Sequence, residues 1–191
     1  MDELFVFIYC QPLSRIVLCM FLLVFLWAYI GHWERSSLRW RIGNLILFAG
    51  AVAVVFYMTV YTRGEASGEA VLKPFQSFQT AKLQPELYRS MLMNVFLFVP
   101  LGLTLPFALG RGRLPELITI LLALVFSAGI EYLQYRYGLG WCEADDVIMN
   151  TLGAALGVLA HCIFRNWERC ILPLFQQTIK LLRYLIGKQK N

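Results

Sequence analysis

The chain has 191 residues, of which 59% are hydrophobic and 15% charged; soluble domains carry roughly 25% charge, so an ordinary soluble fold is excluded and one compact membrane domain is expected. The net charge of +5 comes from basic residues in short clusters between apolar blocks, a distribution that serves membrane topology and argues against nucleic-acid binding. Cys10, Cys19, Cys142, Cys162 and Cys170 stand singly, without a CxxC pair, so neither a disulfide framework nor a zinc site is indicated and no metal or other cofactor is expected.

The N-terminus begins Met-Asp-Glu, with no basic n-region and no small-residue cleavage site, so the first helix is expected to stay in the mature chain. Crossing about 30 Å of hydrocarbon takes roughly 20 apolar residues. Runs of that length extend over about Leu13 to Ile30, Ile42 to Tyr61, Leu87 to Leu109, Leu114 to Tyr137, and from the acidic turn ending at Asp145 and Asp146 to Phe164. Pro12 suits a first helical turn, and Arg15 lies near enough to the helix end to reach the headgroups. Between the second and third runs, Arg63 to Arg89 reads as an extramembrane loop, with the aromatic KPFQSF at Lys73 to Phe78 at headgroup level. Pro100, Gly102 and Pro106 are expected to bend the third helix or to let a neighbour approach closely. After Arg165 the tail places Ile171, Leu174, Phe175, Ile179, Leu182 and Ile186 at helical spacing opposite Lys180 and Arg183, which predicts an interfacial amphipathic helix.

The fold class is therefore an all-α membrane protein: a bundle of about five transmembrane helices plus a C-terminal amphipathic interfacial helix. Residues 1–191 form a single membrane domain, with 165–191 as a cytoplasmic tail. Lys and Arg in short loops favour the cytoplasm. Arg35, Arg39 and Arg41, then Arg111 and Arg113, then the tail all fall on one side. The N-terminus, the long loop and the Glu143/Asp145/Asp146 turn fall on the other, so the N-terminus is expected outside and the C-terminus in the cytoplasm of a bacterial cell membrane.

Most intramembrane polar groups gather around Ser127 to Gly157. At 3.6 residues per turn, Ser127, Glu131 and Gln134 share one helix face, and Asp146, Asn150, Gly153 and Gly157 share one on the returning helix. A carboxylate such as Glu131 inside an apolar segment costs several kcal/mol unless it faces a partner, which makes it a functional-site candidate. Asn94 lies at a similar depth on the third helix. The binding-site candidates are Asn94, Ser127, Glu131, Gln134, Asp146 and Asn150. Asp145 reads as a helix cap and Gly153/Gly157 as a close-packing step. A purely structural reading of Glu131, hydrogen-bonded to Gln134, Asn94 or Asn150, stands beside the functional one.

Four ordered motifs, KPF-S in the long loop, NVFLFVPLG at Asn94 to Gly102, S-x-x-x-E-x-x-Q at Ser127 to Gln134 and DDVIMNTLGAALG at Asp145 to Gly157, resemble the VanZ-like family of bacterial membrane proteins. The resemblance places a VanZ-like core at about 73–164 and implies a cell-envelope setting, the family being associated with teicoplanin resistance. In many members the turn before the acidic motif has an Arg after Gly, where this chain has Gly138-Leu139-Gly140-Trp141, which leaves Arg136 or Arg89 to supply a positive charge. The expected function is a multi-pass envelope protein whose outer-leaflet polar pocket binds a lipid head group or glycopeptide, its partners being membrane lipids, a cell-wall precursor lipid or a glycopeptide. Two alternatives remain open. One is an intramembrane enzyme acting on an envelope lipid, with Glu131 and Asp146 as an acid/base pair or as oxygen ligands to Mg²⁺. The other is a small proton-coupled transporter with Glu131 as relay.

Overall fold

The computed structural model describes residues 12–34, 37–61, 70–81, 85–110 and 113–166. Six helices account for most of them: α1 (Leu13–Glu34), α2 (Leu38–Phe56), α3 (Gln76–Ala81), α4 (Pro85–Leu109), α5 (Leu114–Tyr137) and α6 (Ala144–Arg165). Helix α2 continues into a π-helical turn at Tyr57–Tyr61, and two short strands, β1 (Ala70–Val71) and β2 (Cys142–Glu143), complete the set. The chain is an all-α membrane protein. Leu38–Tyr61, Glu86–Leu109, Leu114–Tyr137 and Ala144–Arg165 are long and apolar enough to cross a membrane, and α1 adds a shorter apolar stretch, Ser14–Val24. The 22 residues of α1 reach about 33 Å at the helical rise. The amphipathic tail, the acidic N-terminus and Arg35 lie outside the described residues.

Helix ends follow backbone chemistry. Pro115 sits in the first turn of α5, where its missing N–H costs nothing. At the other end Gly138 adopts the left-handed region, φ 61° and ψ 36°, and the Leu139 N–H donates to the Gln134 carbonyl at 2.9 Å, a Schellman-type closure. Arg41 finishes α4: its Nε donates to the Ala108 carbonyl at 3.0 Å and its Nη2 to the Leu109 carbonyl at 3.4 Å. A cation placed on orphan carbonyls stabilises a helix C-terminus, so Arg41 has a structural task besides its contribution to topology. Asn44, fully buried in α2, accepts a 3.0 Å hydrogen bond from Trp27 Nε1 of α1 and donates to the Trp40 carbonyl at 2.8 Å, which satisfies both ends of its amide.

Helix α4 is the centre of the bundle, with residues 101–107 buried throughout. Its closest neighbour is α6. A Cβ on Gly153 would lie 2.1 Å from the Val95 carbonyl oxygen, one on Gly157 2.3 Å from that of Val99, and one on Gly102 1.9 Å from that of Ala154. No side chain fits at any of the three, so the glycines set how closely the two backbones approach, as small residues do at membrane helix interfaces. Around this seam Val55, Phe98, Leu101, Ala123, Ile130 and Ala154 form the central cluster. Leu103, Phe107 and Phe164 fill the end bearing the Arg41 side chain. Met91, Val95 and Met149 fill the acidic end, with Phe78 of α3 packed against them. Leu117, Leu121, Leu124 and Val125 on the outer face of α5 are exposed, as lipid-facing residues are.

The long loop carries more structure than its Gly/Pro content predicts. Within 70–81 it supplies β1 and α3, and β1 pairs parallel to β2 in the register Ala70↔Cys142 and Val71↔Glu143. The loop is thereby laid across the acidic turn between α5 and α6.

Candidate functional site

The hinge of the acidic end is Asp145. Its carboxylate is 1% exposed, and its Oδ1 accepts from the Phe75 N–H at 2.5 Å while its Oδ2 accepts from the Ser77 N–H at 2.8 Å. This corrects the reading of Asp145 as a cap. The residue at the N-cap of α6 is Glu143, without a side-chain capping bond, and Asp145 instead holds amides nearly 70 residues earlier in the chain. Phe75 sits at φ 65°, a left-handed conformation that costs a bulky residue about 1–2 kcal/mol. A hydrogen bond to a charged group contributes about 1.5–3 kcal/mol, enough to hold Phe75 there.

From Asp145 a chain of polar contacts leads inward. Ser77 Oγ donates to Glu143 Oε2 at 2.6 Å, and the Glu143 N–H donates to Glu131 Oε2 at 2.9 Å. Glu131, 3% exposed on α5, therefore receives the backbone of β2, and loop, turn and helix are joined through three acidic side chains.

Two further hydrogen bonds involve the candidate residues at this end of the bundle. Asn150 Nδ2 donates to Ser127 Oγ at 2.9 Å, joining α6 to α5 in full burial. Gln134 Nε2 donates to the Thr59 carbonyl at 2.8 Å, taking up an orphan acceptor in the π-helical turn. The amide oxygens of Gln134 and Asn150 have no hydrogen-bond partner among the described residues. Asp146 is half-buried in the first turn of α6 and Asn94 half-buried on α4. Arg136 is exposed, with its guanidinium 6.0 Å from the Tyr137 ring centroid.

A cavity of about 660 Å³ opens beside these contacts, between the loop and the α5–β2–α6 turn. Leu72 and Pro74 of the loop, Tyr132 and Tyr135 of α5 and Val147 of α6 give it apolar and aromatic walls, while Glu131 and Glu143 provide its carboxylates. Cys142 also lines it. Burial, then the negative charges of Glu131 and Asp146, push the Cys142 thiol above its ordinary range, so the sulfur is held protonated rather than as a nucleophilic thiolate. Thr59 and Cys142 carry no sequence signal of their own: Thr59 enters through its backbone carbonyl and Cys142 through the turn that β1 pairs with. Ser77 belongs to the KPF-S motif and Glu143 to the acidic turn, but their contact with each other follows from the loop's return path.

A second polar group lies at the opposite end, where α5 begins and α6 finishes. Glu116 of α5 pairs with Arg165 of α6 and lies 3.4 Å from His161 Nδ1, and the Phe107 ring meets the His161 ring edge-on at 4.5 Å between centroids. The positions 161, 162 and 165 fall within about one turn on α6, which is the pattern that could have drawn attention to them.

A family profile described as VanZ/LLP1 matches residues 14–165. The chain is similar to Protein VanZ of Enterococcus faecium, with 36% identity over 72 residues that make up 37% of this chain and 43% of that one. The aligned part thus spans less than half the length of that relative. No solved structure matches. The profile takes in α1 and α2, which carry none of the four motifs, as well as the α4–α6 seam and the Asp145 tether, and on that match the chain belongs to the VanZ/LLP1 family.

Proposed function

We propose that this is a VanZ-type protein of the bacterial cell membrane whose acidic-end pocket faces outward and binds an amphipathic envelope molecule: a lipid head group, a cell-wall precursor lipid or a glycopeptide. The observation that carries the reading is the pairing of two carboxylates, Glu131 and Glu143, with apolar and aromatic walls in one open cavity of about 660 Å³. Ligand sites are mostly apolar with a few placed polar groups. Amine or hydroxyl donors of a head group would meet the carboxylates, and its apolar part would lie against Leu72, Tyr132 and Val147. The orientation rests on Arg39, Arg41 and Arg113 at the opposite end. Similarity to Protein VanZ of Enterococcus faecium supports the VanZ-type reading, and the glycopeptide setting is what the family resemblance implies.

The test is Glu131→Gln. Gln keeps a carbonyl oxygen for the Glu143 N–H, while the charge is lost and the other oxygen becomes an NH₂ donor. In a host where the wild-type protein alters teicoplanin or other envelope-stress susceptibility, the variant at equal membrane abundance is expected to behave like the empty vector. Full activity would remove the charged pocket and leave Glu131 as an interhelical polar contact.

A further inference from the structure

We propose that Glu116, His161 and Cys162 form a binding site for a thiophilic divalent cation, Zn²⁺ in chemical class, at the end of the bundle opposite the acidic pocket. The three side chains each offer one donor atom, a carboxylate oxygen, an imidazole nitrogen and a sulfur, and these lie within 4.8 Å of one another. Oxygen, nitrogen and sulfur together are the donor set of Zn²⁺, which binds thiolate at about 2.3 Å and imidazole at about 2.0–2.1 Å. Mg²⁺ and Ca²⁺ prefer oxygen alone.

A second observation points to a ligand. His161 is 3% exposed, yet its Nδ1 makes no hydrogen bond among the described residues. The imidazole is fixed by the edge-on Phe107 ring, with that nitrogen directed at Glu116 Oε1 across 3.4 Å. A buried nitrogen without a hydrogen bond carries a desolvation cost of about 1–3 kcal/mol, and a metal ion between it and the carboxylate would remove that cost.

Charge and access agree with a cation. Binding Zn²⁺ releases the Cys162 proton to solvent, and thiolate plus carboxylate then balance the ion's two charges, so the positive charge left at this end is that of the half-buried Arg165 guanidinium. Arg165 holds Glu116 through Oε1; with its side chain 24% exposed, it can move to the second carboxylate oxygen and orient the ligand from outside, as outer-shell partners do. Three protein ligands leave one position for water or an exchangeable group.

The experiment uses the full chain purified in detergent without a polyhistidine tag, with Co²⁺ as the spectroscopic probe and Zn²⁺ as competitor. Wild type is expected to take one Co²⁺ per chain, with a sulfur-to-cobalt charge-transfer band and tetrahedral visible bands that Zn²⁺ abolishes. Cys162→Ser is expected to lose the charge-transfer band. His161→Asn and Glu116→Gln should weaken binding at least ~10-fold, since even outer-shell changes cost that much. Absence of the band in wild type, or its persistence in Cys162→Ser, overturns the proposal. Mass-resolved alkylation of wild type covers the case in which the variants misfold: Zn²⁺ should protect Cys162 and leave Cys142 unprotected. Equal alkylation of Cys162 with and without Zn²⁺ overturns the site.

Discussion

Replacing Asp145 by Asn or Ala removes the acceptor that holds the loop at residues 70–81 on the turn between α5 and α6. Two backbone N–H groups, of Phe75 and Ser77, donate to the carboxylate at 2.5 and 2.8 Å, and each such bond contributes about 1.5–3 kcal/mol. Asn keeps one acceptor and turns an NH₂ towards the other amide, so it should lose about 1.5–3 kcal/mol; Ala loses both bonds, about 3–6 kcal/mol. The α4–α6 seam does not depend on these bonds. The loss should therefore appear as local opening of the loop rather than as global unfolding. Hydrogen exchange at the Phe75 and Ser77 amides, followed by mass spectrometry in detergent, is expected to speed up roughly 10- to 100-fold in Asp145→Asn, and further in Asp145→Ala. Ser77→Ala, which removes only the part-exposed bond to Glu143, should have a smaller effect. Unchanged exchange in both Asp145 variants would refute the tether and return Asp145 to the role of a local cap.

Gly153→Ala forces a Cβ against the Val95 carbonyl at 2.1 Å, so α4 and α6 must separate; it should lower the thermal midpoint in detergent sharply, whereas Gly129→Ala, with nothing within 4 Å, should leave it unchanged or raise it by helix propensity. With Cys142 as the sole cysteine, the pH midpoint of its alkylation should lie above the free-thiol value of about 8.5, because burial and the charges of Glu131 and Asp146 disfavour the thiolate. Glu131→Gln should move that midpoint down, and a wild-type midpoint at or below the free-thiol value would contradict the assigned environment. For orientation, a cysteine at Leu72 should react with a membrane-impermeant reagent from outside the cell and one at Arg113 should not; the reverse pattern would turn the pocket to the cytoplasm.

What the sequence by itself determined was the set of long apolar helices and the way two of them meet. Apolar length against bilayer thickness is a local property, so the runs ending at Tyr61, Leu109 and Tyr137 match the ends of the corresponding segments. The glycines at positions 153 and 157 announce a close approach because small residues one helical turn apart let a neighbouring backbone come near. The helical spacing that puts Ser127 and Glu131 on one face, and Asn150 on the facing helix, likewise needs no tertiary information. Only the tertiary structure decided where the loop goes. The amides of Phe75 and Ser77 carry no side-chain signature, and Asp145 reads as a cap until the loop is seen to supply donors with a better fit than its own helix. The meeting of Glu116 with His161, Cys162 and Arg165 was not legible for the same reason: α5 and α6 run antiparallel, so the first turn of one meets the last turn of the other across 49 positions of sequence. Such contacts are chosen by which buried donors and acceptors are left to be satisfied once the helices have packed, a global condition that local periodicity does not encode.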